Sequence, residues 1–262
     1  MASRWSRFRN RGIERVLTKY RFVVQYRSDG YSGWQVQKNR PTIGGTIEAA
    51  LARITGESVS VVGAGRTDAG VHALGQVAHF RLRRQRPPDR LLKSLNGVLP
   101  SRIRVLRLSV ASDAFHAQKD AKRKRYIYRL YNGPVLSPFL EGRVLQVYRP
   151  LSLEAMQKAS ELIVGTRDFT GFTASASQVK NRVRTVFVSR WRRKGRHFSY
   201  RIEGDGFLHH MVRNLAGTMI QIGHGQRPAT DMTAILESRD RRLAGPTAPA
   251  HGLFLARVWY RN

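Results

Sequence analysis

Apolar and polar residues alternate with a period of two in several stretches, the signature of strands that bury one face. KYRFVVQY (19–26) is the first, followed by a turn-rich loop, SDGYSGWQ, expected to expose Tyr31 and Trp34. Apolar residues at Val59, Val61 and Val62 lead into a glycine-rich loop, and a strand follows at 75–82. RIRVLRLSV (102–110), KRKRYIYRLY (122–131), a hairpin of 182–191 and 197–203 around Lys194 and Gly195, and GLFLARVWY (252–260) continue the series. Helical spacing appears between them. Ile47, Leu51 and Ile54 share a stripe in a helix from Gly45 to Thr55, after Pro41, and further helices are predicted at Pro88–Asn96, Leu153–Val164 and Thr230–Ser238. LHHMVRNLAGTMIQIG (208–223) reads as a helix because Met211, Leu215 and Met219 recur every fourth residue, its other face carrying His210, Arg213, Asn214 and Gly217. The order predicts an α/β (α+β) fold of two similar antiparallel-sheet sandwich units with helices on one face. A basic arm (1–18) precedes a first unit (19–118) that carries the glycine-rich loop and a second (119–262) that completes a cleft.

Charge narrows the class of partner. Lysine and arginine number 47 against 17 acids, a formal net charge of +30 over 262 residues, so the chain would repel itself without a polyanion, and nucleic acid is the leading inference. No apolar run approaches the ~20 residues of a spanning helix, which argues against a membrane partner. The absence of cysteine removes disulfide scaffolds and thiolate metal sites. The start, MASRWSRFRNRG, lacks the apolar core of a secretory signal. A cytoplasmic protein is expected, with an organelle matrix as the alternative because the arm holds five arginines and one acid. The arm itself reads as an RNA-binding or a targeting segment.

The chemistry centres on GAGRTDAGVHALGQVAHF (63–80), in which Gly63, Gly65, Gly70 and Gly75 bracket Arg66, Thr67 and Asp68. Glycine allows left-handed backbone and close packing, so such a loop can hold one acid at the lip of a cleft. The glycine spacing does not match GxGxxG, and Val71 and His72 follow Gly70 where a phosphate loop needs Lys and Ser or Thr. No GxSxG elbow exists. His209 and His210 diverge by about 100 degrees if both lie on a helix, no HExxH spacing accompanies them, and no metal is expected. The strand at 122–131 alternates cations with aromatics, which suits phosphates and stacked bases; it equally suits a sheet strand with its rings in the core and its charges in water.

These residues resemble the TruA-type tRNA pseudouridine synthases. The resemblance runs from about Lys19 to Tyr260 and includes GRTDAGVHA, GYSGWQ (30–35), PTIGGTIEAAL (41–51), RYIYRLYN (125–132), DFTGF (168–172), FLHHMVRNLAG (207–217) and TAPAHGLFL (247–255). It implies the pseudouridine synthase fold and isomerisation of uridine to pseudouridine without metal or organic cofactor. It also implies a tRNA anticodon stem-loop as substrate, at about positions 38 to 40, and a homodimer. By position, Asp68 matches the essential aspartate and Arg66 an arginine that helps to hold the flipped nucleotide. Tyr126 matches the tyrosine that stacks on the base, Arg213 the arginine that pairs with the aspartate, and Leu253 an apolar wall of the cleft. A non-catalytic RNA chaperone or ribosome-assembly factor of the same fold is the alternative. The family often reads YDGSxYxGWQ where this chain has YRSDGYSGWQ, with Arg27 and Ser28 in place of the first Asp-Gly pair.

Overall fold

The computed structural model describes residues 17–175 and 179–260, so most of the basic arm, residues 1–16, lies outside the described residues. The chain runs β1 (Thr18–Tyr26), α1 (Ile43–Thr55), β2 (Val62–Gly63), β3 (His72–Leu82), α2 (Pro88–Val98), β4 (Ile103–Val110) and β5 (Arg123–Asn132). It continues with β6 (Leu145–Val147), α3 (Leu153–Glu161), β7 (Gly165–Asp168), β8 (Val183–Lys194), β9 (His197–Gly204), α4 (Met211–Gly223), α5 (Asp231–Ser238) and β10 (Leu253–Trp259). All ten strands join one sheet in the order β4-β1-β3-β10-β5-β9-β8-β7, with β2 added to β3 and β6 to β5. Pairing is antiparallel except for β10 with β3 and β6 with β5. The mixed, mostly antiparallel α/β fold matches the class expected from the alternating pattern.

Strand β10 joins the two halves. It pairs with β3 of the first half through Phe254 and Leu255 and with β5 of the second through Leu253 to Trp259. Residues in register across neighbouring strands share a face, and one row crosses the seam: Tyr26, Ala73, Leu255, Tyr126 and Ile202. Every member is buried. This face carries the helices. α2 packs against β4, α3 against β8, and α4 against β5 and α3. Trp191 and Tyr200 stack at 4.9 Å beneath α4, and the Trp191 indole N–H donates to Met219 Sδ at 3.2 Å.

Several boundaries differ from the pattern for local reasons. α1 begins at Ile43 rather than Gly45 because the Thr42 hydroxyl accepts from the Gly45 N–H at 3.2 Å and caps the helix; it stops where Gly56 turns left-handed. The apolar run from Val59 yields only two paired residues, opposite His79 and Ala78. Trp34, expected to be exposed, is buried against Tyr26, ring centres 5.9 Å apart. α4 begins three residues later than its spacing suggests, since His210 adopts φ 61 and breaks the helical path. Its supposed polar face is enclosed too. Asn214 is fully buried, and a Cβ on Gly217 would fall 1.8 Å from the Pro246 carbonyl oxygen, so the 245–249 segment packs directly on the helix backbone.

Candidate active site

The loop after β2 is held from both sides. Gly63 packs so close to the Trp34 indole that a Cβ would fall 2.7 Å from it, and the Gly65 carbonyl accepts from the Gln76 side chain at 2.7 Å. Thr67 accepts from the Trp34 N–H through its carbonyl (3.0 Å), and its hydroxyl bonds the Tyr26 hydroxyl (2.8 Å). Beyond the acid, the Gly70 N–H donates to Ser28 Oγ at 3.2 Å, while the Ser28 N–H donates to His72 Nδ1 at 3.0 Å. Ser28, at the departure from the family pattern, therefore anchors the far end of the loop. Arg27 pairs with Asp29 instead. With its neighbours fixed, Asp68 projects into a cleft of about 820 Å³ on the helix-bearing face, a size that suits a nucleotide.

The N-terminal turn of α4 meets Asp68 there. Arg213 Nη1 lies 3.2 Å from Asp68 Oδ2, and Arg213 Nε donates to the Ala248 carbonyl at 2.7 Å, which fixes the guanidinium. Asn214 secures that segment by donating to the Phe172 carbonyl (2.8 Å) and accepting from the Thr247 hydroxyl (2.7 Å). A helix N-terminus favours negative charge, so α4 and Arg213 together set a positive environment around the Asp68 carboxylate. His210 Nε2 is 3.3 Å from Oδ2 and His209 Nε2 3.6 Å from Oδ1. Burial lowers the pKa of His210 more than the Asp68 carboxylate raises it, and the fields of His209 and Arg213 lower it further.

The histidine pair corrects the sequence reading. The positive φ of His210 places both residues before the helix, so the two rings converge, their centres 4.0 Å apart. Donor atoms of Asp68, His209 and His210 all lie within 4.8 Å of one another, a spacing that a cation could use, with Arg213 competing for the same carboxylate oxygen. Nothing in the sequence pattern reports the sign of φ at His210, so this arrangement was not legible there.

All five residues singled out from the sequence line the one cleft: Arg66, Asp68, Tyr126, Arg213 and Leu253. Tyr126 forms its floor, 7% exposed, its ring edge-on to Phe207 at 5.2 Å. Burial, then the fields of Tyr26 and Asp68, push its pKa up, so the phenol stays neutral and offers a ring face and a hydroxyl rather than a base. Leu253 is a buried wall. Arg66 stands exposed at the mouth and makes no ion pair among the described residues. Lys124 also reaches the cleft, a contact the sequence reading missed; burial foremost, with Arg184, holds its pKa below the usual value. Among the described residues that line the cleft, Asp68 is the only acid.

Together these features define a carboxylate-centred site for a polyanionic substrate. The family described as tRNA pseudouridine synthase matches residues 28–118 and 159–261. Relatives align over nearly the whole chain. tRNA pseudouridine synthase A of Acetivibrio thermocellus is 42% identical over 244 residues, 93% of this chain and 100% of that protein. Those of an Exiguobacterium species and Myxococcus xanthus are 42% and 40% identical, over 94% of this chain and 99% and 93% of their own lengths. The chain belongs to the tRNA pseudouridine synthase family, as the resemblance of its GRTDAGVHA and HHMVRN motifs implies.

Proposed function

We propose that the protein isomerises uridine to pseudouridine in the anticodon arm of tRNA, at about positions 38 to 40, with Asp68 as the essential carboxylate. The observation that carries this reading is Asp68, the single acid among the described residues of a cation-lined cleft, gripped by Arg213, with Tyr126 lining the same cleft. A uridine stacked in RNA hides its sugar and C6, so it must leave the stack at a cost of a few kcal/mol, partly recovered by stacking on Tyr126. Arg66 contacts the phosphate beside the flipped nucleotide, and Leu253 limits the space in which the base turns. Asp68 acts as nucleophile or base as the N-glycosidic bond breaks; the base rotates, its C5 bonds to C1′, and the C5 hydrogen leaves as a proton. Arg213 orients Asp68 and balances its charge throughout.

The family resemblance supports a homodimer, and light scattering at the monomer mass would refute it. No helix among the described residues is long and apolar enough to cross a membrane. Bacterial relatives and the absence of cysteine support work in the cytoplasm. The test of the reaction is tritium release from tRNA labelled at uridine C5. Asp68→Asn is expected to bind tRNA yet lose turnover by several orders of magnitude. Near-wild-type release from that variant overturns the assignment of Asp68, and tRNA binding without release by the wild type would favour an RNA chaperone.

A further inference from the structure

Lys124 lines the cleft without a task in the proposed reaction. Arg213 grips Asp68 and Arg66 stands at the mouth, whereas Lys124 rises from the sheet itself. It lies two residues before Tyr126 on β5, so the two side chains share the helix-bearing face. A rise of about 3.3 Å per residue sets them about 7 Å apart along the strand, the scale on which the base and the phosphate of one nucleotide are separated.

The surroundings of this lysine offer it no anion. Among the described residues Lys124 makes no ion pair and no hydrogen bond, and the only acid of the cleft, Asp68, is already surrounded by Arg213, His209 and His210. Gly204 stands opposite Lys124 in register, and what covers it is the Phe207 ring, which a Cβ on Gly204 would approach to 3.3 Å. The neighbouring Asp205 accepts from the Thr185 N–H at 3.0 Å instead of pairing with the lysine. On the loop side, a Cβ on Gly65 would lie 3.6 Å from Lys124 Nζ, so the ammonium hangs beside the segment that carries Arg66 and Asp68. Burial foremost, then the field of Arg184, lowers its pKa, and Asp205 offsets this only in part. Drawing a charge out of water with a second cation nearby and no counter-ion is costly, so the free protein holds an ammonium that an incoming anion would relieve.

We infer that Lys124 is a further substrate-binding residue, which takes a non-bridging phosphate oxygen next to the target uridine and so fixes the nucleotide whose base lies against Tyr126. The inference rests on the proposed reading that a uridine of RNA enters the cleft. A compact point charge gains most from a fully charged partner, which favours phosphate over the neutral carbonyl oxygens of uracil. The phosphate keeps its charge throughout the reaction, so the contact serves substrate and transition state alike and belongs to binding rather than to the chemical step.

Lys124→Met keeps the reach of the side chain and removes its charge. It would be compared with the wild type on a synthetic anticodon stem-loop with one uridine at about positions 38 to 40, by tritium release, urea unfolding and filter binding across a salt series. Binding would also be measured with an uncharged methylphosphonate on the 5′ or the 3′ side of that uridine, the adjoining 2′-hydroxyl being methylated in both the charged and the uncharged RNA. On the unmodified stem-loop, Kd and KM should rise about tenfold, kcat should stay within about threefold, and the log-log salt slope should become shallower by about 0.7 to 0.9. One of the two methylphosphonates should weaken binding by the wild type about tenfold and by Lys124→Met less than twofold, because the pair is already broken. The urea midpoint should equal or exceed that of the wild type, since an unpaired charge has left the interior. Equal methylphosphonate penalties in the two proteins at both positions overturn the phosphate contact, and so does a fall in kcat with KM unchanged. Equal penalties with a lowered urea midpoint assign Lys124 to the fold instead. A wild type that releases no tritium brings down the proposed reaction and this contact with it, whereas normal release with equal penalties brings down the contact alone.

Discussion

Gly33 offers a test of how the loop positions Asp68. Its backbone is left-handed, φ +92, and a Cβ there would stand 2.6 Å from the Thr67 carbonyl oxygen and 3.1 Å from the Asp68 carbonyl carbon. Ordinary contact begins near 3.4 Å, so Gly33→Ala must displace the Thr67–Asp68 peptide by roughly 0.8 Å. The left-handed conformation costs alanine about 1 to 2 kcal/mol. Loss of the Trp34 N–H to Thr67 bond costs about 1 kcal/mol more, and the overlap itself a further 1 to 2. The expected destabilisation is about 3 to 5 kcal/mol. A displacement near 1 Å at a reacting group can cost about 100-fold in rate, so kcat of the folded variant should fall by about that factor. Gly56→Ala is the control: φ is +74, but nothing lies within 4 Å of the added methyl. It should lose only the 1 to 2 kcal/mol of backbone strain and no activity. Urea unfolding gives the stability of each variant, and tritium release under folding conditions gives kcat. If Gly33→Ala stays folded with kcat within about twofold of wild type, the loop does not position Asp68 in the way described.

Tyr126→Phe should keep most of the RNA affinity, whereas Tyr126→Ala should lose about 1 to 3 kcal/mol of it; equal binding by the two would reduce Tyr126 to a packing residue. His79 is buried, its pKa lowered to about 4 chiefly by burial and then by His116, while Nδ1 accepts from the Ala117 N–H at 3.2 Å. Because the folded pKa is below the unfolded value near 6.5, stability is full above pH 6.5 and falls as pH drops towards 4. About 2 kcal/mol should be lost between pH 7.5 and 5, measured by urea unfolding, and His79→Gln should flatten that slope. Glu203→Gln should cost about 2 to 4 kcal/mol of stability, because three partly exposed arginines lose their anion; an unchanged urea midpoint would show that water replaces it.

The parts of this fold that were legible in the sequence are those where one face is buried and the other wet. β1, β5, the β8–β9 hairpin and β10 announce themselves by alternation, and α1 and α2 by a stripe every three to four residues. β6 and β7 are three and four residues long, too short for a period to show. The place of β10 between β3 and β5 is a non-local fact with no local signature. Trp34 was misread because a loop of Ser, Asp and Gly looks exposed, while Gly63 makes room for the indole. Of the two readings of 122–131, the core strand holds for Tyr126 and Tyr128, which face inward, and Tyr126 also lines the cleft. Asp68 stood out through its glycines, whereas the convergence of His209 and His210 on it depends on one backbone angle.

The central position of β10 also sets a schedule. The ribosome delivers residues 253–259 some 170 residues after β3, and until they emerge β3 and β5 have no strand between them. Each half can gather its own hairpins and helices meanwhile. Leu253 and the floor beside Tyr126 come into being together when the late strand docks, so the nascent chain carries Asp68 long before it has a cleft to use it in. The cleft is thus completed in one step when β10 docks, and a ribosome stalled before residue 253 would display the GRTD motif on a chain that cannot yet hold a nucleotide.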